Sequence, residues 1–257
     1  MSFSRIHIYL RQTAQNKVNN NRPQWFDYSQ VFSNLLATMN PELCQLTVCF
    51  DGNDKDFSNH FTHKFFENKW GREFKVRFID TNAYEGESYE NDGSSKSTSL
   101  IARIIKGNKL PDSSLIYVLE NDYLHLPYWG EMALSLFNQV GGNDYVSLYD
   151  HLDKYAMTLE GRSDHWGLYK DLTSKIIVSN GRHWRQVPSI CSSWIMSKKV
   201  FDRDYDLHSI GISDNTGCEQ FLKRGSTCYT PIPSLATHCQ EPWVAPLINW
   251  EGVINEK

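Results

Sequence analysis

Leu115-Ile116-Tyr117-Val118-Leu119-Glu120-Asn121-Asp122-Tyr123 carries five apolar residues straight into two carboxylates one residue apart. An apolar run of this length, rich in β-branched and aromatic side chains, reads as a buried strand. Side chains alternate along an extended chain, so Glu120 and Asp122 are expected on one face at its carboxyl end. Hard divalent cations favour such oxygen ligands, and Mg²⁺ typically takes one or two carboxylates together with substrate phosphates. Glu-x-Asp is common in solvated loops, so its neighbourhood decides what it means.

Upstream, strand and helix signals alternate. Residues 5–10 (Arg-Ile-His-Ile-Tyr-Leu) form the first strand signal, followed by a polar loop holding Asn16, Asn19, Asn20 and Asn21. Over 27–39, Tyr28, Val31, Phe32, Leu35, Leu36 and Met39 recur at helical spacing, and Asn40-Pro41 stops the run. Residues 46–50 read as a buried strand ending in the turn signal Asp51-Gly52, 57–70 as a helix, and 74–79 as a third strand. A polar loop over 81–95 feeds a helix over 97–106 and then the acidic strand.

Downstream, 129–140 reads as a helix and 145–149 as a strand. Beyond His151 the pattern loosens: 175–179 and 190–196 are strand-like, 218–223 starts a helix, and the Pro- and Trp-rich tail has no clear period. Strands alternating with helices imply βαβ units, a largely parallel sheet and ligands gathered beyond the carboxyl ends of its strands. The reading is therefore an α/β three-layer fold, a mostly parallel central sheet with helices on both faces.

With 257 residues and no linker-like stretch, one large domain is expected. The net charge of −4, with no dense Lys/Arg stripe, argues against nucleic acid as a partner. No apolar stretch approaches the ~20 residues needed to cross a bilayer, and no secretory signal opens the chain, so a cytoplasmic protein is expected. Six cysteines without CxxC pairing read as reduced thiols rather than a zinc site or a disulfide framework.

The acidic strand in this order of elements resembles the GT-A glycosyltransferases, whose DXD motif ends about the fourth strand; compact viral and bacterial members are the most similar. The resemblance implies one domain over 1–257, with nucleotide-sugar binding in about 1–125 and acceptor binding in about 126–257. It implies that Asp122 ligates Mn²⁺ or Mg²⁺ on the nucleotide diphosphate. Glu120 stands where the family has its first Asp, so its contact is left open between the metal, through water, and the ribose. His238, after Pro233-Ser234-Leu235-Ala236-Thr237, falls where many GT-A enzymes supply another metal ligand.

Tyr9, Arg11 and Asp51, at the ends of the first two strands, match the places that hold base and ribose, and Asn121 lies among these donor contacts. Small residues in Asn91-Asp92-Gly93-Ser94-Ser95-Lys96-Ser97 open a helix, where free N–H groups and Lys96 could receive an anion; Gly93, Ser95 and Lys96 are the candidates.

The activity implied is metal-dependent transfer of a hexosyl or pentosyl group from a nucleoside-diphosphate sugar, UDP favoured over GDP, to a glycan or other hydroxyl. Inversion is favoured, and it needs a carboxylate to deprotonate the acceptor. Asp214 and Glu219 both qualify. Thr216-Gly217-Cys218-Glu219 has capping-box spacing, which gives Glu219 a structural explanation and tips the choice toward Asp214. Aromatic faces and charged donors for an acceptor sugar are offered by Asp164-His165-Trp166, by His183, Trp184 and Arg185, and by Trp194. A metal-dependent phosphohydrolase or nucleotidyltransferase, or a non-catalytic carbohydrate-binding protein, is the alternative.

Overall fold

The computed structural model describes residues 2–14, 21–67, 74–155 and 173–255. Its strands and helices in chain order are β1 (Arg5–Thr13), α1 (Tyr28–Thr38), β2 (Cys44–Asp51), α2 (Asp54–Asn59), α3 (Phe61–Glu67), β3 (Phe74–Ile79), α4 (Gly93–Gly107), β4 (Ser114–Leu119), β5 (Tyr123–His125) and α5 (Trp129–Val140). There follow β6 (Tyr145–Val146), a 3₁₀ turn at Leu152–Lys154, β7 (Ile176–Ser179), β8 (Arg182–Val187), β9 (Trp194–Ser197), α6 (Lys198–Arg203) and α7 (Tyr205–Ser209). The chain closes with α8 (Asp214–Lys223), β10 (Cys228–Ile232), β11 (Ala236–His238) and α9 (Trp250–Asn255).

Among the described residues nine strands form one sheet in the order β3-β2-β1-β4-β9-β6-β10-β8-β7. The first four run parallel. From β4 onward the directions mix: β9 is antiparallel to both β4 and β6, and β10 runs parallel to β6 but antiparallel to β8. The parallel sheet expected from the alternating pattern is thus the N-terminal half, where β1, β2 and β3 are each followed by a helix. The mixed half lies where the periodicity weakens.

Alternation along β4 explains the three layers. Leu115, Tyr117 and Leu119 enter one core with α1, α5 and α9, while Ile116 and Val118 enter a second core with α4, α6, α7 and α8. All six residues of β4 are buried, as befits a strand covered on both faces.

The expected helix over 57–70 is two helices. Asn53 and Asp56 form a reciprocal capping box that starts α2 three residues early. His60 then adopts an extended backbone, and its Nδ1 accepts from the N–H of Thr62 (3.3 Å), starting α3 afresh. Trp70 lies outside the described residues, as do Asn16, Asn19, Asn20 and the Asp164-His165-Trp166 triplet. Helix α4 starts at Gly93 rather than 97, because Asp92 caps it by accepting from the N–H of Ser95 at 2.7 Å. The strand expected over 190–196 is confined to β9, and that over 145–149 to β6.

Candidate active site

The topology places a crevice where β1 feeds leftward to β2 while β4 lies on its right. Ligands of open α/β sheets gather at such a switch point, beyond the carboxyl ends of the strands. Tyr9 pairs with Val118 and Leu10 with Leu119, so Arg11 and Gln12, still in β1, run on past the end of β4 beside Glu120 and Asn121. Arg11 meets Glu120 across this gap at 3.1 Å and donates to Ser94 Oγ at 2.6 Å. Asn121 donates to Gln12 Oε1 at 2.6 Å.

The two carboxylates do not act as one paired face. The strand ladder ends at Leu119 and the chain turns at 121–122, so Glu120 goes to Arg11 while Asp122 is delivered to a different group of partners. There the small antiparallel sheet of β5 and β11 sets the geometry. His238 is the register partner of Tyr123, their rings stack at 5.1 Å, and Cys239 N–H donates to the Asp122 carbonyl at 2.8 Å. Histidine and carboxylate, 116 residues apart in sequence, therefore meet with Nε2 3.2 Å from Asp122 Oδ2.

Arg22, which carries no motif that would single it out, takes the same oxygen. Its guanidinium lies 2.8 Å from Asp122 Oδ2, donates to the Cys239 carbonyl at 2.7 Å, and sits over the Phe26 ring at 4.8 Å. Burial alone would raise the Asp122 pKa, but His238 and Arg22 outweigh it and hold the carboxyl well below its ordinary range. Burial would lower the His238 pKa, but Asp122 and then Glu120 raise it above 6.5.

Asp122 Oδ1 is buried and has no hydrogen-bond partner among the described residues. An ionised carboxylate oxygen left dry and unpaired is costly, and a cation arriving there would remove the cost. No cluster of three or more His, Cys, Asp or Glu with metal-binding geometry occurs among the described residues. Asp122 and His238 are the two side chains here that could hold a divalent ion, His238 Nε2 by giving up its contact with Asp122 Oδ2 and the remaining ligands coming from a phosphate-bearing substrate.

A second acidic centre stands close by. The segment before β9 bridges to it: Ser193 Oγ accepts from the N–H of Glu120 at 3.1 Å, and the neighbouring Ser192 Oγ donates to Asp214 Oδ1. Asp214 is the first residue of α8. Burial raises its pKa from the ordinary 3.8 to about 6, with Glu120 and Glu90 adding to the rise against the Ser192 hydrogen bond and His238. A surface hollow of about 430 Å³ is lined by Gly86, Glu87, Ser88, Tyr89, Asn91 and Ile210, and Tyr89 Oη lies 3.0 Å from Thr216 Oγ1 of α8.

Several expected site residues are placed otherwise. Tyr9 is buried against α4, and its hydroxyl accepts from Asn108 at 2.8 Å, so it offers no face to a base. Asp51 accepts from both the N–H and the hydroxyl of Thr81, tying down the loop after β3. The anion nest at Gly93, Ser95 and Lys96 is not formed: the Asp92 carboxylate already occupies the helix start, Ser95 is buried, and only the neighbouring Ser94 reaches Arg11.

Thr216 lies inside α8, which removes the capping-box reading; Glu219 is exposed, and five residues of helix set it about 140° around the axis from Asp214. Trp184 and Trp194 are fully buried, and Arg185 is spent on the buried Asp150 at 2.6 Å, so none presents a surface to a sugar. His183 is exposed on β8, one of the outer strands of the mixed half.

No family model and no curated protein sequence matches the chain. Among solved structures it is similar to the galactosyltransferase LgtC in complex with donor and acceptor sugar analogues (TM-score 0.45, 11% identity, covering 86% of this chain and 72% of that one). It is also similar to TarS of S. aureus (0.47, 8%, 88% of this chain and 36% of that one). A third neighbour is the 4-diphosphocytidyl-2C-methyl-D-erythritol synthase of Anaerococcus prevotii (0.44, 14%, 98% and 95%). At such identities the function has to be read from the residues at the site. No helix among the described residues is long and apolar enough to cross a membrane.

Proposed function

We propose that this protein is a metal-dependent glycosyltransferase of GT-A architecture, moving a sugar from a nucleoside-diphosphate donor to a hydroxyl acceptor with inversion. The observation that carries the reading is the buried, unpartnered Asp122 Oδ1 beside His238 at the sheet's switch point, with a half-buried carboxyl of pKa about 6 nearby.

Asp122 and His238 would hold the Mn²⁺ or Mg²⁺, which supplies electrostatic stabilisation to the departing diphosphate. Arg11, fixed between Glu120 and Ser94, is a positioned cation for the donor at the same crevice. Asp214 is the base: it accepts the acceptor's proton as the acceptor oxygen bonds to the anomeric carbon and the bond from that carbon to the phosphate oxygen breaks. A pKa of about 6 suits this role, because the group is ionised at neutral pH and still basic enough to take a proton. This reading seats the acceptor in the hollow beside Tyr89, which reaches α8 through Thr216. UDP is the favoured donor base, and a hexosyl or pentosyl group is the cargo.

A thermal-shift panel of UDP-, GDP-, CMP- and dTDP-sugars with and without Mn²⁺ tests this. At least one diphosphate sugar should stabilise the protein only with metal, and Asp122→Ala should abolish the effect. A flat panel sinks the reading. Release of phosphate or pyrophosphate in place of intact nucleoside diphosphate would convert it to a phosphohydrolase or nucleotidyltransferase.

A further inference from the structure

The cation already bound to Asp122 is part of the protein. Arg22 is held there from four sides: Asp122 Oδ2 at 2.8 Å, the Cys239 carbonyl at 2.7 Å, the Tyr28 hydroxyl at 3.2 Å and the face of Phe26 at 4.8 Å. Its side chain is only 17% exposed, so solvent screens the pair weakly. Because it grips both Asp122 and the residue after His238, Arg22 also fixes the two candidate metal ligands relative to each other.

We infer that Arg22 is a positioning residue that makes metal loading depend on the donor diphosphate; this rests on the metal-dependent reading above. A divalent ion on Asp122 Oδ1 shares its carboxylate with a permanent positive charge on Oδ2, and like charges in a poorly screened site repel. With one carboxylate and one imidazole, the free protein binds metal weakly. A diphosphate brings the negative charge that offsets both cations, so metal and nucleotide load together, and each raises the other's affinity by the same factor.

Titration of Mn²⁺ at pH 8, with the free ion followed by electron paramagnetic resonance, measures this directly in the presence and absence of UDP or GDP. Wild-type protein should bind Mn²⁺ at least about tenfold more tightly with the effective diphosphate than without it, a coupling of about 1.4 kcal/mol. Arg22→Gln, which can still donate to the Cys239 carbonyl, should tighten binding of Mn²⁺ alone and shrink the coupling to less than about threefold. Arg22→Lys keeps the charge and should keep the coupling.

Unchanged or weaker binding of Mn²⁺ alone by Arg22→Gln would overturn the inference while leaving the glycosyltransferase reading intact. So would an Arg22→Lys protein that behaves like Arg22→Gln, since packing rather than charge would then be responsible. A wild-type protein that binds Mn²⁺ with neither diphosphate overturns the reading on which the inference depends.

Discussion

Burial makes Asp214 expensive to ionise, and the negative charges of Glu120 and Glu90 add to the cost; the Ser192 hydrogen bond and His238 only partly offset it. The result is a carboxyl whose pKa rises from 3.8 in the unfolded chain to about 6. The native state therefore binds this proton more tightly than the unfolded state. The group's contribution to stability is complete below pH 3.8 and is lost as pH rises to about 6. Asp214→Asn removes that loss, so at pH 7 the variant should be more stable than wild type, by about 1–3 kcal/mol in urea unfolding. Its turnover should fall by about 10²–10⁴-fold, and the wild-type rate should climb with pH through about 6, a limb the variant lacks. A variant that loses stability and keeps its turnover would remove Asp214 from the mechanism. At this scale the sequence was partly legible. Asp122 stands out because it follows an apolar strand, whereas His238 and Asp214 were singled out only by what the resemblance implies. Arg22, Ser192 and Ser193 could not be picked out, because each matters only through a partner about 20 to 100 or more positions away.

Elements bring the site together through a few close contacts, and Gly211 is the tightest of them. It lies between α7 and α8 with φ +63, and a Cβ built on it would stand 2.0 Å from the Ser95 carbonyl oxygen of α4. Gly211→Ala thus meets both a left-handed backbone and a hard clash with main chain that cannot swing aside. The expected cost is about 2–4 kcal/mol, read as a lower midpoint in denaturant. Relief of the clash by movement of α4 would carry Ser94 away from Arg11, so the apparent donor affinity should weaken too. A Gly211→Ala protein of wild-type stability would mean that this contact is not made in solution. The βαβ half was legible in the sequence because its strands are long enough to show an apolar run or an apolar alternation and most of its helices have a 3.6-residue stripe. Strands β5, β8, β10 and β11 were not: β5 and β11 have three residues each, too few for a period, while β8 (RHWRQV) carries charge and β10 holds a proline. Local pattern cannot register a strand whose reason to form is a distant partner.

For the molecule as a whole, the question is whether the boundary near residue 125 separates two folding units or only two halves of one site. The pairing of strands across this boundary argues against separate units. Strand β4, buried along its whole length, pairs with β1 on one side and with β9 on the other, so a fragment of 1–125 would leave it as a bare apolar edge. Exposed edges of this kind pair with other chains rather than stay soluble. The same fragment loses His238 and Cys239, which hold Asp122 through β11, and Ser193, which holds the start of the acidic motif. Expressed alone, 1–125 should therefore be aggregated or poorly dispersed in a ¹H–¹⁵N spectrum, and no nucleotide with Mn²⁺ should rescue it. The intact chain should unfold in a single transition. Because residues from 11 to 238 contribute to its site, a saturating donor at about 100 times its Kd should raise the stability of the entire sheet by about 2.7 kcal/mol, about 5–10 °C for a domain of this size. A soluble, nucleotide-binding 1–125 fragment would show instead that the donor half folds by itself and that His238 is dispensable for the first step of binding.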